Sequence, residues 1–131
     1  MSQIIHTEKA PKAIGPYSQA ILTNIGDSQI LYTSGQIALD PETGNLTQES
    51  LEIEVLQVLK NLKAILYEAD FTLSDVVKSE IFVVNLDQNF ARINTVYEEF
   101  FGDHKPARAT IGVASLPKNA QVEIAFTAIK N

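Results

Sequence analysis

The chain has no cysteine, two histidines, ten basic residues and no long apolar run. Without cysteine it can form no disulfide and offers no thiol nucleophile or thiolate ligand. His6 and His104 stand far apart, and neither has metal-ligand spacing to a carboxylate, which argues against a metal centre. A Gly-x-Ser-x-Gly elbow, a Gly-x-Gly-x-x-Gly fingerprint and a phosphate loop are all missing. No apolar stretch approaches the roughly 20 residues that span a bilayer. The opening MSQIIHTEKAPKAIG has no apolar signal core, so the expected location is the cytoplasm. Ten basic residues against sixteen acidic ones give a net charge of −6. The lysines and arginines are scattered singly, which argues against nucleic acid or a membrane surface as partner.

What is present suffices for one globular domain, residues 1–131. At 14.4 kDa the folded surface should be about 7,000 Å² against about 21,000 Å² unfolded. A composition of 45% hydrophobic and 20% charged residues supports such a core.

Short strands are predicted at about 3–6, 18–24 and 30–34, with a Pro/Gly-rich connection from Ala10 to Pro16. Leu51, Val55, Val58, Leu59, Leu62, Ile65, Leu66 and Ala69 recur at helical spacing and predict a helix over about 48–69, capped by Thr47. Gln57, Lys60, Asn61 and Lys63 fall on its opposite face. The β-branched run 76–84 reads as a strand. A second helix is expected from about Asn89 to Phe101, with Phe90, Ile93, Tyr97, Phe100 and Phe101 as its stripe, Asp87 as cap and Gly102 as stop. Two strands, about 108–114 and 121–129, close the chain. The fold class is therefore α+β: a six-stranded mixed sheet with two helices on one face, either helix serving as a crossover between parallel neighbours.

Two helices leave the other sheet face bare. In the last strand Val122, Ile124, Phe126 and Ala128 point one way, and Gln121, Glu123, Ala125, Thr127 and Ile129 the other. The second set, small and partly apolar, reads as a subunit interface. Arg108 and Thr110 share a face of the preceding strand. Hairpin pairing of the last two strands would put Arg108 beside Glu123 on the bare face. From pattern alone that pair reads more readily as a structural ion pair than as a catalytic dyad. Asn94 falls inside the second helix's stripe and reads as a buried structural amide, or else as one that orders a binding loop. His104 reads as an exposed loop histidine. Tyr17, after Gly15-Pro16, is either core or cleft, and Ser34-Gly35 ends a strand where a ligand could approach the backbone.

Several segments together resemble the Rid/YjgF family: Ala13-Ile14-Gly15-Pro16-Tyr17-Ser18-Gln19-Ala20, Thr33-Ser34-Gly35-Gln36-Ile37, Asn94-Thr95-Val96-Tyr97-Glu98-Glu99-Phe100-Phe101, Pro106-Ala107-Arg108-Ala109-Thr110, Leu116-Pro117-Lys118 and Val122-Glu123-Ile124. They appear in the family's order over nearly the whole chain, and the pattern is most similar to the archetypal RidA branch, the 2-iminobutanoate/2-iminopropanoate deaminases. The resemblance implies a chorismate-mutase-like fold and a homotrimer with clefts between subunits. It implies hydrolysis of short 2-imino acids to 2-oxo acids and ammonia, with no cofactor or metal. Arg108 then falls on the carboxylate clamp, Glu123 on the water-holding acid, and Tyr17, Ser34, Gly35 and Asn94 on cleft positions. Thr110 stands where some members carry cysteine, so thiol regulation is absent and a ligand contact there would use the backbone. Some relatives are described as endoribonucleases or translation inhibitors, and a metabolite-binding regulatory or chaperone-like role through the same cleft is a third reading.

Overall fold

A computed structural model describes residues 2–131. Its elements are β1 (Ser2–Ile5), β2 (Ala20–Ile25), β3 (Ser28–Thr33), α1 (Leu51–Glu68), β4 (Val76–Val84), α2 (Leu86–Phe101), β5 (Ala107–Val113) and β6 (Val122–Lys130). One mixed sheet runs in the order β1-β2-β3-β6-β4-β5. Only β4 and β5 pair in parallel. The chain exposes 7176 Å², the area its mass calls for. No described helix is long and apolar enough to cross a membrane.

The strand and helix types agree with the sequence expectation, and the connections explain where it departs. Helix α2 joins the parallel neighbours β4 and β5, as expected of a crossover. Helix α1 does not join neighbours, because β6 lies between β3 and β4 and is antiparallel to both. The last strand is thus inserted into the middle of the sheet. Strands β5 and β6 are not paired, so the expected hairpin does not form.

Helix α1 starts later than its apolar pattern suggested. The Thr47 N–H donates to the Ala38 carbonyl (2.8 Å), which holds Thr47 in the preceding loop. Ser50 is the cap instead, its Oγ accepting from the Ile53 N–H at 3.1 Å. Helix α2 starts earlier, because Asn85 rather than Asp87 turns the chain, in the left-handed region at φ 57°. That start fixes the helical phase: Asn89, Ile93, Tyr97 and Phe101 are buried, and Phe90 is 41% exposed. The Asn89 Nδ2 donates to the Val84 carbonyl at 2.9 Å, which satisfies the amide where Phe90 had been expected.

The core lies between the helices and one sheet face. Val122, Ile124, Phe126 and Ala128 of β6 are buried against α1 and α2, as their alternation predicted. Two polar residues of α1 are buried with them. Asn61, expected on the outer face, donates from Nδ2 to the carbonyls of Leu39 (2.9 Å) and Ile37 (3.3 Å), and its Oδ1 accepts from Gln57. Glu54 accepts from the Gln121 N–H at 2.7 Å and from the side chains of Gln121 and Gln48, which anchors the entry to β6 on the helix. Both residues tie irregular chain to α1, a duty that apolar periodicity does not report.

Asn61→Leu is expected to keep the fold but lower stability by about 1–3 kcal/mol, because the Leu39 carbonyl loses its donor and the Ile37 carbonyl keeps only the Leu39 N–H. Denaturant unfolding checks this, and a variant as stable as wild type would show that Ile37 and Leu39 find other donors.

Candidate active site

The residues singled out from the sequence fall into two clusters on opposite faces of the sheet. The first is built where the pairing of β3 with β6 is interrupted. The ladder ends at Tyr32 opposite Thr127. Beyond it, the Phe126 N–H donates to the side chain of Thr33 (2.8 Å), and pairing resumes only between Gln36 and Ile124. Ser34 and Gly35 span the gap. The Ser34 N–H donates to the Gln19 carbonyl at 2.9 Å, and its Oγ donates to the Ser18 carbonyl at 2.5 Å. The hydroxyl is thereby spent on holding the chain. Gly35 lies directly against Glu123: a Cβ added there would stand 2.5 Å from Glu123 Oε2 and 2.8 Å from its Cδ. Only a glycine lets the carboxylate lie there undisturbed.

Tyr17 completes this cluster. Its hydroxyl accepts from the Ile14 N–H at 3.2 Å, closing the Gly15-Pro16 turn with the ring at the surface. Tyr17, Gly35 and Glu123 line a recess of about 40 Å³, together with Lys12, Gln36 and Pro117. The recess holds little more than a water molecule. The half-buried Glu123 carboxylate makes no ion pair with a described residue, and burial raises its pKa above the ordinary carboxyl value.

The second cluster surrounds Arg108. It lies opposite Ser79 of β4, which in turn lies opposite Phe126 of β6. Residues level across a sheet share a face, so Arg108 is on the helix-covered side, with Phe126. Its guanidinium carbon stands 5.1 Å from the centre of the Tyr97 ring and 5.8 Å from that of Phe90, both on α2. Arg108, Asn94, Tyr97 and Phe101 line a cleft of about 380 Å³, together with His104 and Lys105. Asn94 is half-buried at this cleft rather than enclosed in the core. His104 is half-buried as well, its Nε2 at 2.7 Å from the Val76 carbonyl, so it is not a free loop histidine. Thr110, on the same face as Arg108, has its hydroxyl buried and unpartnered. Burial raises the pKa of the Tyr97 hydroxyl, an effect opposed by neighbouring Ser79 and by the Arg108 charge.

The structure therefore corrects the expected pairing of Arg108 with Glu123. Strand β4 separates them, and Glu123 is three residues along β6 from the level of Arg108. An odd offset reverses the face, and the strand spacings put the two Cα atoms about 14 Å apart. They form neither an ion pair nor a dyad within one chain. Tyr17, Ser34, Gly35 and Glu123 are brought together, as are Arg108, Asn94 and Thr110, but the two groups are not. Sequence reasoning passed over Tyr97 and Phe90 as arginine platforms, since aromatic residues at helical spacing read first as core.

Comparison with known proteins bears on this arrangement. Residues 7–130 match the family model described as endoribonuclease L-PSP. A RutC family protein of Pyrococcus horikoshii is 43% identical over 130 residues, covering 99% of either chain. The solved structure of a protein of the conserved Rid family from Yersinia pestis is 43% identical with a TM-score of 0.89, covering 98% of either chain. The structure of Escherichia coli TdcF with bound serine is 37% identical with a TM-score of 0.88, covering 98% of this chain and 99% of that one.

The raised pKa of Glu123 makes a stability prediction. The folded chain holds this proton more tightly than the unfolded chain, so the benefit is full below the unfolded carboxyl pKa. It is lost as pH rises through the folded value, above which the charged group burdens the native state. Glu123→Gln should therefore melt higher than wild type at about pH 7 and converge with it near about pH 4. Thermal unfolding at both pH values is the check, and a variant that melts lower at neutral pH would mean that the carboxylate makes a stabilising contact instead.

Proposed function

The chain belongs to the endoribonuclease L-PSP family, which includes the Rid/YjgF proteins, and on that premise we propose that it is a deaminase of short 2-imino acids whose active site is shared between copies of the chain. One observation carries the proposal: an unpaired arginine and a burial-perturbed glutamate stand on opposite sheet faces, each with part of a cleft around it. Neither part holds both a carboxylate clamp and a proton-transfer group. Juxtaposing the Arg108 side of one copy with the Glu123 side of another would supply both. The sheet face bearing Glu123 also presents Ile4, Tyr32, Ile111 and Ile129, each at least 40% exposed, a surface that a homotrimer would cover.

The substrate carries a carboxylate, which the Arg108 guanidinium would take with two parallel hydrogen bonds. Water adds to the imine carbon while Glu123 accepts its proton, and the carboxyl group then returns that proton to nitrogen. Glu123 next moves the carbinolamine hydroxyl proton to nitrogen, and collapse forms the C=O bond, breaks the C–N bond and releases ammonia and the 2-oxo acid. A carboxyl group with a raised pKa is suited to these transfers near neutrality. Tyr17 would orient the imine or the water from the same side. Serine bound to TdcF supports a small ligand bearing a carboxylate. The net charge of −6 and the absence of a basic stripe weigh against RNA as the main ligand.

Glu123→Gln should retain 2-oxobutanoate binding and lose most turnover, measured as 2-oxo acid formation with a coupled threonine dehydratase. Wild-type turnover by this variant would remove Glu123 from proton transfer. Binding without turnover by the unmodified protein would point to a regulatory or chaperone-like role.

The shared site is tested by mixing inactive variants. Arg108→Ala and Glu123→Gln, co-expressed in equal amounts, should assemble with about a quarter of the clefts carrying both intact groups and recover about that share of activity. No recovery from a verified mixed trimer would rule out a cleft built from two chains. Sedimentation equilibrium giving a 14.4 kDa species would do so directly.

A further inference from the structure

Arg108 has no carboxylate partner among the described residues, yet its environment is built. The Tyr97 ring beneath it is itself held: it lies 4.7 Å from Phe101, and Phe101 packs edge-on against Phe126 of β6 at 5.5 Å. The platform is continuous with the core and cannot swing away independently. Phe90, the other ring, is partly exposed and has no such anchorage.

Beside this platform are three buried hydroxyls that make no hydrogen bond: Ser79 Oγ, Tyr97 OH and Thr110 Oγ1. They are the complete set of such side-chain atoms among the described residues, and all of them adjoin Arg108. Ser79 is fully buried and level with Arg108 on the neighbouring strand, and Thr110 is two residues further along β5 on the same face. Ser79 and Arg108 are both close enough to the Tyr97 hydroxyl to favour its ionised form against the effect of burial. Buried hydroxyls are costly to leave unpaired, so a chance grouping of three is a poor explanation. Apolar side chains would fill this place at less cost. Three hydroxyls grouped in this way suit one shared water molecule, which makes two to four hydrogen bonds in such sites.

We propose that Tyr97, Ser79 and Thr110 are the positioning residues of Arg108: the Tyr97 ring carries the guanidinium, and the three hydroxyls share one water that accepts from it and fixes its plane. A guanidinium held in plane presents its fork to a carboxylate with little further ordering, so the gain is in affinity. The catalytic part of this inference rests on the deaminase reading, whereas the ordering of Arg108 does not.

The chain has two arginines, Arg92 and Arg108. Arg92 is held by Glu52 through two contacts of 2.7 Å and serves as an internal reference. The test is side-chain Nε–H relaxation of both arginines by NMR in the ligand-free protein, beside calorimetric titration with 2-oxobutanoate. Wild-type Arg108 should be about as ordered as Arg92. Ser79→Val, which exchanges one of the hydroxyls for methyl groups, should mobilise Arg108 and weaken binding about fivefold to tenfold, with kcat changed much less than KM. Tyr97→Phe keeps the ring and should give a smaller loss, and Tyr97→Leu a larger one. Should Tyr97→Leu fail to fold, Ser79→Val and Tyr97→Phe decide the matter. A high-resolution crystal structure should place one water within about 3.2 Å of all three oxygens. Arg108 as ordered in Ser79→Val and Tyr97→Phe as in wild type overturns the proposal, and so does a crystal structure in which no water joins the three oxygens. If wild-type protein fails to bind 2-oxobutanoate, the deaminase reading falls, and the relaxation data still decide how Arg108 is held.

Discussion

The strict alternation of side chains along β6, at the centre of the sheet, constrains everything else in this molecule. Val122, Ile124, Phe126 and Ala128 must reach the helices to close the core. Glu123, between two of them, is therefore driven to the other face, and no local adjustment can bring it back. Once β4 lies beside β6 and β5 beside β4, the same alternation carries across the ladders and sets Arg108 on the helix side with Phe126. The separation of the two charged groups follows from core packing, not from any property of the groups themselves.

That separation leaves each group in a condition a single chain has no reason to maintain. Glu123 is half-buried against Gly35 and makes no ion pair with a described residue, so burial disfavours its charged form. Arg108 rests on aromatic rings without an anion, in a chain that carries six more negative charges than positive ones. Arg92, by contrast, is paired with Glu52, whose pKa it lowers to about 2. One of the two arginines thus has a carboxylate partner, and the one at the cleft has none among the described residues. Unsatisfied groups held in fixed geometry are what binding and proton transfer require.

The irregular segments that frame the site are held by buried polar side chains, two of them on α1 and one just before β2. Glu54 fastens the entry to β6, two residues before Glu123. Asn61 fastens the loop that follows Gly35. Gln19, just beyond Tyr17, accepts from the Thr7 N–H (2.7 Å) and donates to the carbonyls of Thr7, Ala10 and Pro11. Each side chain substitutes for missing backbone pairing, so the loops around the recess are fixed although they belong to no ladder.

Apolar periodicity in the sequence determined the number and type of elements and the inner face of β6, because burial acts on every second or every third to fourth residue. The order of short motifs determined the family. Periodicity placed Ile93, Tyr97 and Phe101 on the inner face of α2 but set Phe90 with them, where Asn89 is buried instead and bonds the Val84 carbonyl. It placed Asn61 outside, since an amide that bonds loop carbonyls looks like any polar surface residue. Which strands pair was decided by tertiary structure alone. With β5 and β6 as a hairpin, Arg108 and Glu123 would face each other; with β6 between β3 and β4, they face apart. The same residues support either arrangement locally, and only the packing of α1 and α2 over one face of the whole sheet distinguishes them.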